Sequence, residues 1–164
     1  MTRGLYGFRK NGIDKTTYSN SDSYPGYLGE LVVNLCKSMN VEQLNNLYNK
    51  IMLRNKEESY QIPSSQRFDF GKVHSDLVDG KTINMIEDCS FIKDSLFCEY
   101  AYIINLDNNT LEYWKGFQKV PQENNRYGTI PMDNGYYPCK LMLSFDLNNL
   151  PNAEEIVKLM NDAK

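Results

Sequence analysis

Thr2 is the residue of this chain best placed to act as a catalytic nucleophile. Aminopeptidases remove an initial methionine that precedes a small residue, and loss of Met1 would leave Thr2 with a free α-amine beside its hydroxyl group. A residue of this kind supplies a base and a nucleophile together, which suits the cleavage of amide bonds. Thr2 is therefore a candidate catalytic residue.

Binding without catalysis is the alternative reading of the same region. The chain has 12 tyrosines and one tryptophan, and most lie in strand-like segments and the loops beside them. Tyrosine and tryptophan offer large rigid contact areas with a polar handle, although they are also common in strands. Polar side chains are dense between residues 18 and 24. The predicted binding surface consists of Arg3, Tyr18, Asn20, Asp22, Tyr24 and Trp114.

The motifs of several other chemistries are missing. The single histidine, His74, has no nucleophile motif near it, and the four cysteines contain no CxxC pair. We therefore predict reduced thiols, with no metal site and no cofactor. Walker A and GxGxxG loops are also absent, which excludes nucleotide binding through those two devices.

Charge and hydropathy limit the partners and the location. The net charge is -3, and no run of lysine and arginine forms a basic stripe, which argues against nucleic-acid binding. No apolar run approaches the roughly 18 residues that span a bilayer, and no secretory signal is recognisable. A cytoplasmic protein that does not enter membranes is expected.

The candidate residues surround a predicted β-hairpin. Its strands are Leu5–Lys10 and Ile13–Tyr18, and Asn11-Gly12 between them suits a type I′ turn, which needs positive φ at both positions. Gly7 weakens the first strand unless another backbone packs closely against it.

Two helices and a second hairpin are predicted after this one. Apolar residues recur at helical spacing over residues 28–39 and 41–52, and Asn40 with Gln43 forms a capping-box pattern. Residues 82–91 show a weak helical pattern. Residues 96–117 predict a hairpin whose first strand is apolar on both faces and therefore central in its sheet.

The remaining segments complete a single domain. Residues 118–138 are polar and proline-containing, which predicts a long loop, and residues 141–145 alternate as a last strand. Pro151 suits the first turn of a final helix. We predict one α+β domain over residues 1–164, with a mainly antiparallel sheet built from hairpins and covered by helices.

Three segments resemble an uncharacterised protein family of phages, prophages and bacteria. The first reads TRGLYGF and is followed by KNG and DK.TY, the second reads DSYPGYLG, and the third reads EYAYIINLDNNTLEY. Together they cover roughly residues 2–30 and 99–115. The resemblance implies a small cytoplasmic protein of mobile-element type and supplies no activity. Phage proteins of this size commonly bind host proteins or sequester small signalling molecules.

The first hairpin also loosely resembles the opening of N-terminal-nucleophile amidohydrolases, over about 23 residues. In that family, polar groups after the second strand surround the nucleophile and steady its amine. The resemblance implies that Thr2 is the nucleophile, that Arg3 is a substrate-binding or orienting group, and that Asn20 or Asp22 is the polar partner. The usual nucleophile of the most similar enzymes is cysteine, so threonine at position 2 departs from their pattern.

Two functions are therefore predicted. The first is a non-catalytic binding protein that engages a host protein or a small polar ligand through the predicted surface, and its tyrosine-rich strands are also compatible with a homodimer. The alternative is a small amidohydrolase that uses Thr2.

Overall fold

A computed structural model describes residues 1–164, which form seven strands and four α-helices. The strands are β1 (Gly4–Lys10), β2 (Ile13–Tyr18), β3 (Ile51–Arg54), β4 (Ile83–Ile86), β5 (Tyr100–Asn105), β6 (Thr110–Lys115) and β7 (Lys140–Asp146). The helices are α1 (Glu30–Ser38), α2 (Val41–Lys50), α3 (Val73–Val78) and α4 (Ala153–Asp162), and a π-helical turn at Pro25–Gly29 leads into α1. None of the helices combines the length and the apolar character needed to cross a membrane.

Five strands form the main sheet, in the order β2-β1-β5-β6-β7. The pairs β1–β2, β5–β6 and β6–β7 are antiparallel, and only β1–β5 is parallel. The α+β class and the mainly antiparallel sheet are confirmed. The central position of β5 is also confirmed, and its residues from Ala101 to Asn105 are all buried.

The turn of the first hairpin has the predicted backbone geometry. Asn11 and Gly12 have φ angles of 53° and 72°, positive at both positions as a type I′ turn requires. Their two N–H groups donate to the carboxylate of Asp107, at 2.6 and 2.9 Å. These hydrogen bonds hold the pKa of Asp107 below its ordinary value. The β1–β2 turn is thereby attached to the turn between β5 and β6.

The helices cover one face of the main sheet, where the larger core lies. Asn40 caps α2 through the predicted box: Gln43 N–H donates to Asn40 Oδ1 at 2.8 Å, and Asn40 N–H donates to Gln43 Oε1 at 2.9 Å. The sheet contributes large buried side chains that pack against apolar side chains of α1, α2 and α4. Representative members of this core are Phe8, Tyr102, Tyr113, Val32, Leu44 and Ile156.

The other face of the sheet is covered by loops. Residues 118–138 contain no helix or strand, as predicted, and the segment packs against this face. A second apolar cluster of 7 residues lies beneath it and beneath the segment before β5. Its members include Leu5, Ala101, Ile103, Trp114, Cys98 and Cys139.

Two predicted helical stretches are strands in the structure. Ile51 and Met52 leave the helical path and begin β3, and the stretch predicted as a weak helix contains β4. β3 and β4 pair in parallel as a small second sheet, in which Ile51 lies opposite Ile83. Periodicity cannot distinguish a short apolar strand from a helix segment, and the partner strand lies about thirty residues away. Both predictions were wrong for that reason.

Candidate functional site

A cavity of about 320 Å³ lies where the main sheet meets the small one. Its wall combines charged, amide and aromatic side chains from five separate stretches of the chain. Besides two tyrosines, the polar residues that line it are Thr17, Asn20, Lys56, Ser59, Arg67, Asn84 and Asp88.

Backbone hydrogen bonds hold the walls of this cavity together. Asp88 N–H, just after β4, donates to Thr16 O on the edge strand β2 at 2.9 Å. Phe68 N–H donates to Asn84 O at 2.8 Å, and Arg67 forms an isolated parallel bridge with Asn84. Backbone hydrogen bonds therefore frame the cavity on both sides.

Asn84 is the most unusual polar residue of the wall. It is 3% exposed, and its Nδ2 group donates to Gln66 O at 2.9 Å. Its Oδ1 atom has no hydrogen-bond partner. A buried acceptor without a donor costs about 1–3 kcal/mol of stability. The atom is covered by the surrounding protein and does not face the open space of the cavity.

The cavity carries one positive charge without a counter-ion. Lys56 is paired with Asp88, with Nζ 2.5 Å from Oδ1. The guanidinium of Arg67 instead donates to two backbone carbonyls, from Nε to Ile62 O at 3.1 Å and from Nη2 to Ser59 O. No carboxylate forms an ion pair with Arg67. The carbonyls hold the Arg67 cation in place without neutralising it.

Aromatic rings supply much of the remaining wall. Tyr6, Tyr18 and Phe68 line the cavity, and the rings of Tyr6 and Phe68 lie 5.7 Å apart, centroid to centroid. Burial, with a smaller contribution from the charge of Asp69, raises the pKa of Tyr6 well above its ordinary value. The Tyr6 phenol therefore remains protonated at neutral pH.

The structure brings Thr2 and Asp22 together, outside this cavity. Thr2 N–H donates to Asp22 Oδ1 at 3.1 Å, and Ser23 N–H donates to Thr2 Oγ1 at 2.7 Å. Asn20, the other predicted polar partner of Thr2, lines the cavity instead, and Thr2 is not among the lining residues. The polar tail after β2 therefore divides between two places.

Tyr18 lines the cavity, but three of the predicted surface residues do not: Arg3, Tyr24 and Trp114. Arg3 is exposed, with its guanidinium carbon 5.4 Å from the centroid of the Phe97 ring. Tyr24 is 41% exposed and packs against Tyr27. Trp114 is only 2% exposed, so its assignment to a binding surface was wrong. An apolar side chain on a central strand is covered whenever a loop packs over that face of the sheet.

That covering depends on a buried ion pair. Arg126 lies 4.9 Å from the Trp114 ring centroid, and its Nη1 and Nη2 atoms donate to the two oxygens of Glu112 at 2.8 and 2.6 Å. Glu112 also accepts from Trp114 Nε1 and Asn105 Nδ2, each at 3.1 Å. Every oxygen of this buried carboxylate is satisfied within the protein. The ion pair between Glu112 and Arg126 fastens the 118–138 loop to the sheet.

Sequence reasoning found Tyr18 and Asn20 but missed the opposite wall. Lys56 begins a short 3-10 helix and Arg67 lies outside the named strands and helices, so neither carries a periodic signal. Asn84 did leave a trace, because it is a polar residue inside the apolar run Ile83–Ile86. An amide in a buried strand needs partners, and this was the one signal that pointed to the opposite wall.

Comparison with protein-family models, with curated proteins and with solved structures found no match. The chemistry of the cavity is therefore the basis for any function. No group of three or more His, Cys, Asp or Glu side chains is arranged to hold a metal ion. What the cavity offers is a fixed cation and aromatic walls.

Proposed function

We propose that this protein is a non-catalytic binding protein that sequesters a small polar ligand in the cavity between β2 and β4. The observation that carries the proposal is Arg67, a cation that two backbone carbonyls hold in the wall of that cavity and that no carboxylate neutralises. A guanidinium fixed in this way is placed to bind an anionic group of a ligand through charge-assisted hydrogen bonds.

The form of the cavity favours a small ligand over a host protein as the partner. Small-molecule sites are concave, have volumes of roughly 300–1,000 Å³, and combine aromatic walls with a few placed polar groups. A volume of about 320 Å³ fits the lower end of that range. Sequestration of a small molecule also agrees with the mobile-element character that the resemblance of residues 2–30 and 99–115 implies.

Substitution of Asn84 by leucine is expected to weaken ligand binding with little change in the stability of the fold. Asn84→Leu removes one hydrogen bond, to Gln66 O, and also removes the unsatisfied acceptor. We expect the free energy of unfolding to change by less than about 1 kcal/mol, and ligand affinity to fall at least about tenfold. Folded protein is incubated with a small-molecule cell extract, desalted and denatured, and the released compounds are identified by mass spectrometry.

The matched control is Asn46→Leu, which makes the same change at an exposed position of α2. A compound retained by the wild type and by the Asn46→Leu variant, but not by Asn84→Leu, supports the proposal. Failure of the wild type to retain any compound contradicts it, and so does equal retention by the Asn84→Leu variant.

One observation favours the amidohydrolase as a second candidate. The contact between Thr2 N and Asp22 Oδ1 would hold the α-amine that removal of Met1 creates. Thr2 Oγ1 would attack the amide carbonyl carbon and pass its proton to that amine, which would then protonate the departing nitrogen. Water would hydrolyse the resulting ester and release the acid.

This candidate predicts covalent labelling of Thr2 by an electrophile. We expect untagged protein to lack Met1 and to gain the mass of one β-lactone probe, with labelling lost in Thr2→Ala and kept in Thr2→Ser. Intact and peptide mass spectrometry provide both readouts. Retention of Met1, or equal labelling of the Thr2→Ala variant, excludes the enzyme and leaves the binding proposal untouched.

A further inference from the structure

We infer that the ligand of this cavity is a nucleotide: a planar heteroaromatic base joined to a phosphate. This inference rests on the proposed binding function and names the chemical class that the wall fits. It follows from a cation and an aromatic wall that converge on one space of limited size.

The cation points to an anionic group on the ligand. Arg67 has no carboxylate partner, and two backbone carbonyls fix its guanidinium through Nε and Nη2. Its Nη1 atom makes no hydrogen bond within the protein. Arginine binds phosphate and carboxylate groups through charge-assisted hydrogen bonds, and a guanidinium already held in place loses little entropy in doing so. Lys56 is a second cation beside it, neutralised by Asp88.

The aromatic wall points to a planar ring. Tyr6, Tyr18 and Phe68 all line the cavity, and every nucleobase has a π face that stacks on such side chains. The Tyr6 and Tyr18 hydroxyls make no hydrogen bond within the protein and are therefore available to the ligand. A sugar phosphate without a base would use the cation but not these rings.

The size and charge of the protein favour a mononucleotide over a nucleic-acid strand. The cavity holds about 320 Å³ and lies at one end of β2, while a strand needs a groove with several cations along it. The net charge of -3 provides no such electrostatic track.

Isothermal titration calorimetry of the full-length protein tests this inference. The probes are AMP, GMP, CMP and UMP, the four matching nucleosides, and inorganic phosphate. We expect at least one mononucleotide to bind roughly 10- to 100-fold more tightly than its nucleoside, and inorganic phosphate to bind more weakly still. The Arg67→Gln variant should bind nucleotide and nucleoside equally.

Arg54→Gln is the matched control, because Arg54 lies in β3, pairs with Glu58 and does not line the cavity. It should keep the preference for the nucleotide. If Arg67→Gln does not fold, Lys56→Gln replaces it: the Lys56 side chain is 57% exposed, and its loss leaves the charge of Asp88 unneutralised, which should weaken nucleotide binding more than nucleoside binding.

Two results would overturn the inference while the proposed function stands. One is equal affinity of the wild type for nucleotides and nucleosides. The other is no binding of any mononucleotide by a protein that retains a different compound from the extract and loses it in Asn84→Leu. Failure of both the titrations and the extract capture would contradict the proposed function itself.

Discussion

Replacement of Gly7 by alanine is expected to lower the free energy of unfolding by about 3 kcal/mol or more. Gly7 has a φ angle of 154°, which side-chain-bearing residues rarely adopt. A Cβ atom there would lie 2.1 Å from Lys15 O and 2.7 Å from Thr16 Cα, both backbone atoms of the neighbouring strand. Neither can move away without separation of β1 from β2. Urea denaturation followed by circular dichroism measures the loss.

Gly80→Ala is the control for this prediction. Gly80 also has a positive φ, at 66°, but a Cβ atom there would have nothing within 4 Å. It should cost only the backbone strain, about 1–2 kcal/mol. Equal losses of unfolding free energy in the two variants would show that the close approach of β2 is not what excludes a side chain at Gly7.

Replacement of Glu112 by alanine is expected to lower the free energy of unfolding by about 3 kcal/mol. Glu112 is 2% exposed, and its removal leaves the donors of Arg126, Trp114 and Asn105 without their acceptor. The lower end of the range for buried pairs applies, because the Arg126 side chain is 23% exposed and water can reach it.

Trp114 reports directly on this change, since it is the only tryptophan in the chain. Release of the 118–138 loop should expose its indole and shift its fluorescence to longer wavelength under native conditions. Glu112→Gln is the matched variant: it keeps an acceptor for Trp114 Nε1, removes the charge, and should lose less stability than Glu112→Ala. Unchanged fluorescence and stability in the alanine variant would contradict the fastening role of the ion pair.

The predictable parts of the fold are those that depend on neighbours in the chain. Asn11-Gly12 determines its turn because few residues accept positive φ at two successive positions. Asn40 and Gln43 cap α2 because the two residues satisfy each other's backbone N–H groups. The condition placed on Gly7, that a backbone must lie close to it, is confirmed by Lys15 and Thr16.

The unpredictable parts depend on partners far along the chain. Ile51 and Ile83 became strand residues because each found the other across 32 positions, and no local pattern records such a pairing. The burial of Trp114 under Arg126 also depends on a distant segment. The alternation of side chains along β6 indicates that the strand has two faces, but it does not indicate which loop covers the face that carries Trp114.

By itself, the sequence determined the α+β class, the two hairpins, the capped α2 helix and the region at the end of β2 where a site was expected. Each of these follows from the periodicity or the backbone preferences of residues that are close in the chain. Only the tertiary structure placed Asn84 and Arg67 opposite Tyr18 and Asn20. A cavity is a property of the space between segments, and the physical reason for this one is the docking of β4 and the turns before it onto the edge strand β2.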